Sequence, residues 1–251
     1  MIAPHALAWL VVALGLSIAA PAARAQDGLV IDLSETFVPI TTGFSGTRLL
    51  LYGVTDGNSD VVVVVRGFRI YQTVRKKESL LGVWVNRRQA TFERVPAFYT
   101  MAASGPLDLV MNKDERAKHE VGLENISISL EQGQKVAADV DVFREALLRA
   151  KIKQGLYYPV PRSVSLIGNR LFRTSLVFPM NVPVGVYVAD VYLTKDGKVV
   201  EQKTTFIEVR KFGLEAKVFE FARSNSLAYG VFTILIAVMA GWIAAVALRK
   251  T

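Results

Sequence analysis

DVVVVVRGF, residues Asp60–Phe68, carries the reading that decides the fold. Five consecutive β-branched valines are stiff at χ1 and suit a pleated strand. Because the run is continuous and not alternating, it predicts a strand buried on both faces. Such a strand needs neighbours on each side and cover above and below. Upstream, Leu29–Leu33 and Arg48–Thr55 (RLLLYGVT) read as strands, the second entered by Gly43 and Gly46 and closed by Asp56-Gly57-Asn58. Downstream, Gly82–Asn86 and Ala90–Thr100 follow, and Pro96 demotes part of the latter to an edge or bulge.

The pattern resumes over residues 162–210. Leu171–Phe178 is a strand, Pro183-Val184-Gly185 a turn, and Val186–Thr194 a second strand. Tyr187, Ala189, Val191 and Leu193 share one face of it, the inward one. Lys195-Asp196-Gly197-Lys198 signals a type I′ hairpin, because Asp-Gly accepts positive φ. Val199–Val209 returns. Tyr187, at the start of a late strand, resembles the tyrosine corner of immunoglobulin-like sandwiches. The expectation is a mainly β chain, an Ig-like antiparallel β-sandwich.

Between the two β stretches the period changes. Val136, Val140, Phe143 and Leu147 form one helical stripe, with Gly155 as the stop. Residues 106–120 suggest a further short helix. The domain expected over 26–212 is one sandwich with a helical insertion at 104–160. Two small sandwiches joined by a helix is the alternative.

The ends speak for the compartment. Ala6–Ala20 is apolar, and Ala23-Arg24-Ala25 is an A-x-A site, so residues 1–25 read as a signal peptide. An uncleaved anchor is the rival, since residues 1–5 lack Lys and Arg. Gly213–Ser224 suggests a juxtamembrane helix within 213–226. Leu227–Leu248 is uncharged over 22 residues and predicts a transmembrane helix. Arg249-Lys250-Thr251 would be a cytoplasmic tail. Together these predict a single-pass protein of a bacterial inner membrane with its bulk in the periplasm.

Composition removes whole classes of chemistry. The 251-residue chain has no cysteine, so disulfides, thiol catalysis and thiolate metal sites are excluded. It has two histidines, and His5 lies in the expected leader. Gly43-Phe44-Ser45-Gly46-Thr47 misses the nucleophile-elbow pattern at its last position. No cofactor or metal is expected, although Glu115 and His119 would stand one turn apart on a helix. Asn125-Ile126-Ser127 fits a glycosylation sequon, a triplet that chance often produces. The chain carries a net charge of +8, and its excess sits in residues 66–94, where eight Lys/Arg face only Glu78 and Glu93, a window net of +6. Arg66, Arg69, Arg87 and Arg88 could form an anion-binding patch, because guanidinium groups hold oxyanions bidentately. The plainer alternative is solvated strand-end charge. Nucleic acid is not an expected partner for a periplasmic body.

The layout resembles the alphaproteobacterial putative transmembrane protein family. The resemblance is carried by DVVVVVRG (Asp60–Gly67), GVWVN (Gly82–Asn86), VPAFYTMAAS (Val95–Ser104), FREALLR (Phe143–Arg149), LFRTSLVFPMNVPVGVY (Leu171–Tyr187) and AGWIA (Ala240–Ala244). It implies no catalytic residue. It implies an accessory role beside a sulfite-exporter-type permease. The resulting expectation is a non-enzymatic single-span protein that binds a membrane partner, with periplasmic anion binding or sensing as the alternative. Ala237, Gly241, Ala240 and Ala244 supply two small-xxx-small pairs at which another helix could approach closely.

Overall fold

In the computed structural model, residues 28–80, 83–134, 139–213, 218 and 221–248 are described. The expected leader and the three-residue tail lie outside them, as do residues 214–217, 219 and 220 of the expected juxtamembrane helix, and Val136.

The chain is mainly β. Strands β1 (Val30–Leu33), β2 (Phe37–Ile40), β3 (Thr47–Val54) and β4 (Asp60–Arg66) come first, then β5 (Arg69–Leu80), β6 (Val83–Pro96) and β7 (Tyr99–Ala103). Two short helices follow, α1 (Leu107–Val110) and α2 (Lys113–Lys118), then β8 (Ser129–Leu130) and helix α3 (Val140–Lys153). The remaining strands are β9 (Arg162–Ser163), β10 (Ser165–Ile167), β11 (Leu171–Phe178), β12 (Gly185–Lys195) and β13 (Lys198–Lys211). Helix α4 (Ser226–Leu248) ends the described chain.

A four-stranded sheet (β1-β3-β11-β10) and a six-stranded sheet (β2-β13-β12-β4-β7-β9) share one hydrophobic core. Leu49, Leu51, Phe172 and Phe178 meet Val61, Val63, Val65, Tyr187, Ala189 and Val191 there. Most pairings are antiparallel, as expected. Two edge pairings depart from that: β2 runs parallel to β13 and β9 parallel to β7. Both edge strands are only two to four residues long and are reached through loops and not tight turns.

All five valines of β4 are fully buried. The strand lies between β12 and β7 in the six-stranded sheet. Its odd-numbered valines face the four-stranded sheet. Val62 and Val64 share the other face with Tyr192, Met101 and Ala103, by cross-strand register. The segment after β7 closes that second face: Val110, Met111, Val121, Leu123 and Ile126 are buried in the same core. A helical insertion thus explains why the run is continuous and not alternating.

The hairpin and corner signals hold. Asp196 and Gly197 both have positive φ, 52° and 75°, joining Lys195 to Lys198. Tyr187, Ala189, Val191 and Leu193 are all buried, and the Tyr187 hydroxyl donates to the Pro183 carbonyl at 2.6 Å. At Gly53 a side chain would collide with the Val30 carbonyl (2.2 Å) and the Phe172 ring, so only glycine fits between β1 and β11.

The region 69–96 differs from expectation. Short separate strands were predicted; one long hairpin, β5–β6, forms instead, and β8 extends it to a third sheet. Pro96 closes that hairpin at its root, opposite Arg69. The ladder runs on through the junction, where Gly67 N–H donates to Phe98 O and Ala97 N–H to Phe68 O. β4–β5 and β6–β7 are therefore one ribbon that leaves the six-stranded sheet. Helix α3 packs Phe143 and Leu147 on Ala90, Phe92 and Val95 as a second small core. Gly155, with φ 70°, follows the end of α3.

Candidate functional site

Arg66 is the last residue of β4, and register places it beside Val188 on β12 and Tyr99 on β7. Its side chain lies on the face covered by the insertion. There Arg66 ion-pairs with Asp190 at 2.6 Å and donates to the His119 carbonyl. Its Nε stands 3.8 Å from the Glu120 carboxylate. Arg69, three residues on, binds the same carboxylate at 2.7 Å and donates to the Arg94 carbonyl. Two guanidinium groups thus enclose one carboxylate from the insertion and one from β12.

The acids are held from other sides too. Asp190 accepts from Thr204 Oγ1 at 2.7 Å and Gln202 Nε2 at 3.3 Å. Glu120 accepts from the Ser127 N–H. Burial works to raise the Glu120 pKa, but that hydrogen bond and the charges of Arg69 and Arg66 outweigh it, leaving it below the usual value. Tyr99 completes the lock: its hydroxyl donates to Glu120 O at 2.9 Å and accepts from Gly122 N–H at 2.8 Å. Burial pushes the Tyr99 pKa up, so it stays a donor.

His119 caps the C-terminal end of α2, its ring 4.8 Å from that of Tyr192. Glu115, one turn back as the spacing required, lies 3.3 Å from its Nε2. The helix starts at Asn112, whose side chain accepts from Glu115 N–H. His119 links α2 to the sheet, its carbonyl accepting from Arg66 and its ring lying against Tyr192. No group of three or more metal-ligating side chains occurs among the described residues.

Three of the four arginines singled out in the sequence have described side chains, and these divide between two places. Arg66 and Arg69 converge on Glu120, while Arg88 pairs with Asp139, beside the first turn of α3. Arg87 is a strand residue of β6 whose side chain is outside the described set. Sequence reasoning missed Asp190 and Glu120, the partners that define the cluster. Asp190 had a signal, as the one charge in the apolar strand VYVADVYL. Glu120 had none, since its neighbours are also charged.

A cleft of about 490 Å³ lies between Ser104–Asp108 and Pro159–Ser163. Arg116 and Arg162 line it with Asp108 and Glu124, so its charge is balanced. Arg116 pairs with Asp108 at 2.7 Å, and Arg162 lies over the Tyr158 ring.

Helix α4 has 23 residues, about 34 Å at ~1.5 Å per residue, with mean hydropathy 2.1 over Ser226–Ala245. None of that window is buried against the body. A soluble helix would bury its apolar stripe, whereas this one is apolar all round, as a span is. Ala237, Ala240, Gly241 and Ala244 fall within an arc of about 100° on it.

No curated protein and no solved structure matches the chain. One family model matches residues 28–250, nearly everything after the expected leader. A single described helix long and apolar enough to cross a bilayer, following a mainly β body, agrees with that match. The chain belongs to the alphaproteobacterial family described as putative transmembrane protein.

Proposed function

We propose that the protein is a non-enzymatic accessory subunit of a membrane partner. It would be a single-span inner-membrane protein whose Ig-like β body stands in the periplasm. The observation that supports this most is helix α4, apolar on every side and unburied by its own chain. Its small-residue arc, Ala237, Ala240, Gly241 and Ala244, lets a second helix approach closely. An anion permease of the sulfite-exporter type is the partner to test first.

The test is recovery of the full chain, tagged at its C-terminus, from mildly crosslinked native membranes. One permease recovered in stoichiometric amount supports the proposal. Recovery of the protein alone counts against it. An A237L/G241L variant that still inserts should lose the partner, and unchanged recovery would remove the helix-mediated contact.

The alternative, anion sensing by Arg66 and Arg69, faces a cost. An incoming oxyanion would have to displace Glu120 or Asp190, each already ion-paired and hydrogen-bonded within the fold. Titration calorimetry with sulfite and sulfate decides it. Heat at millimolar anion that disappears in R69Q would restore that reading.

A further inference from the structure

The cleft between Ser104–Asp108 and Pro159–Ser163 belongs neither to the span nor to the Arg66 cluster, and its walls hold polar groups that the fold leaves unpaired. The first is in the main chain. Gly67 N–H donates to Phe98 O and Ser104 N–H to Val61 O, so by register Thr100 and Ala102 also bond towards β4. Tyr99, Met101 and Ala103 therefore turn their N–H and C=O groups to the segment 156–164. There Tyr99 N–H finds Leu156 O, and Ala103 O accepts from Val164 N–H. Between these anchors β7 advances four residues, Tyr99 to Ala103, while its neighbour advances six, Tyr157 to Ser163. The surplus is Pro159-Val160-Pro161, which swings outward and leaves Val160 72% exposed. Among the described residues no main-chain acceptor reaches the Met101 N–H, although Met101 is buried. A buried N–H without a partner is rare in folded proteins.

Side chains add to it. Arg162, on β9, makes no ion pair and no side-chain hydrogen bond among the described residues. Its guanidinium lies 5.1 Å over the Tyr158 ring, and its Nε is buried. The Nε of Arg116 is buried and unpaired too, the far end of that guanidinium being held by Asp108 at 2.7 Å. Three donors thus line one cleft without an acceptor. Negative charge is present as well. Glu124 pairs with no cation among the described residues, and its carboxylate accepts a 3.4 Å bond from Asn125 Nδ2. That carboxylate lies over Gly122 (φ 99°), where a Cβ would collide with it. With Arg116 and Asp108 neutralising each other, the described lining keeps a free cation, Arg162, and a free anion, Glu124, which do not pair together.

We propose that this cleft binds a free α-amino acid with an apolar side chain. The carboxylate accepts from the Arg162 guanidinium, Arg116 Nε and the Met101 N–H. The ammonium faces Glu124, and the side chain lies on Leu107, Pro159, Val160 and Pro161. A simple anion would satisfy the three donors but would stand beside the unneutralised Glu124 carboxylate, whereas a zwitterion meets both signs. The volume, about 490 Å³, falls within the range of small-molecule sites, about 300–1,000 Å³.

The test is calorimetric titration of the full chain, in detergent micelles, with L-leucine. Saturable binding is expected, weakened at least about tenfold in R162Q and in E124Q, because each removes a charged hydrogen-bonding partner. Isocaproate lacks the ammonium, isopentylamine lacks the carboxylate, and N-acetyl-L-leucine, which stands for a peptide C-terminus, lacks the charge on nitrogen. All three should bind more weakly than leucine, and E124Q should bring leucine and isocaproate to the same affinity. No heat with leucine at millimolar concentration overturns the proposal. So does leucine binding that R162Q leaves unchanged. Equal affinity for leucine and N-acetyl-L-leucine also overturns it, and makes the cleft a site for a carboxylate or a peptide end. Circular dichroism and melting that match the parent show that both variants fold, as expected of side chains that hold no ion pair in the structure.

Discussion

At the scale of single residues, the sharpest dependence lies in the Arg66–Asp190 pair. Both side chains are nearly out of solvent, at 12% and 11% exposed. Removing one partner of a buried pair leaves an uncompensated charge, which typically costs about 3–5 kcal/mol. Asp190→Ala should destabilise by about that much, and R66M/D190L should recover most of it, as denaturant unfolding of both would show. Glu120 adds a pH dependence. Its folded pKa is lowered, so the folded state binds fewer protons there than the unfolded chain. Its stabilisation is present above the ordinary value of 4.5 and is lost as pH falls below it. Chemical denaturation of Glu120→Gln against the parent should show the difference shrinking from pH 6 towards pH 3. Lys151 runs the other way: burial lowers its pKa, so the charged form is disfavoured in the fold. Lys151→Met should leave the melting temperature unchanged or raise it.

At the scale of elements, the ribbon and its helix behave as a separate unit. Phe143 and Leu147 belong to a small cluster with Ala90, Phe92 and Val95, not to the main core. Leu147→Ala should cost about 2–5 kcal/mol locally. Hydrogen exchange would then quicken in β5, β6 and α3 while β4, β12 and β13 stay protected. Uniform loss of protection would show one cooperative unit. Tyr187 works at the other kind of junction, where a strand enters the sheet. Tyr187→Phe removes the 2.6 Å bond to Pro183 and should cost about 0.5–1.5 kcal/mol by thermal melting.

At the scale of the whole molecule, the insertion after β7 is what makes the six-stranded sheet an interior layer. It brings apolar cover for Val62 and Val64, and a charged edge, Glu115 to Glu120, that closes over Arg66. Neither half is stable alone: uncovered valines would expose a strand face, and an uncovered Arg66–Asp190 pair would compete with water. Truncation after Lys211 removes α4 but no part of this core. Such a chain should fold and no longer sediment with membranes after a high-salt wash, whereas the full chain should remain membrane-bound.

The residues themselves determined the mainly β class, the Asp196-Gly197 hairpin, the Tyr187 corner and the apolar terminal helix. Each is a local matter of χ1 stiffness, tolerance of positive φ, or an uninterrupted apolar run. Tertiary structure alone decided the rest. DVVVVVRGF required cover on two faces, yet nothing in it named the insertion as one of the covers. The joining of 69–80 with 83–96 depends on a backbone ladder continued through Gly67–Phe68, which side-chain periodicity does not record. The arginines were visible as charge, but their roles depended on Asp190 and Glu120, which are 124 and 54 residues from Arg66 and are brought to it by register and by closure of the insertion. A charge in a sequence has no partner until folding sets its distance, and over such separations only packing sets it.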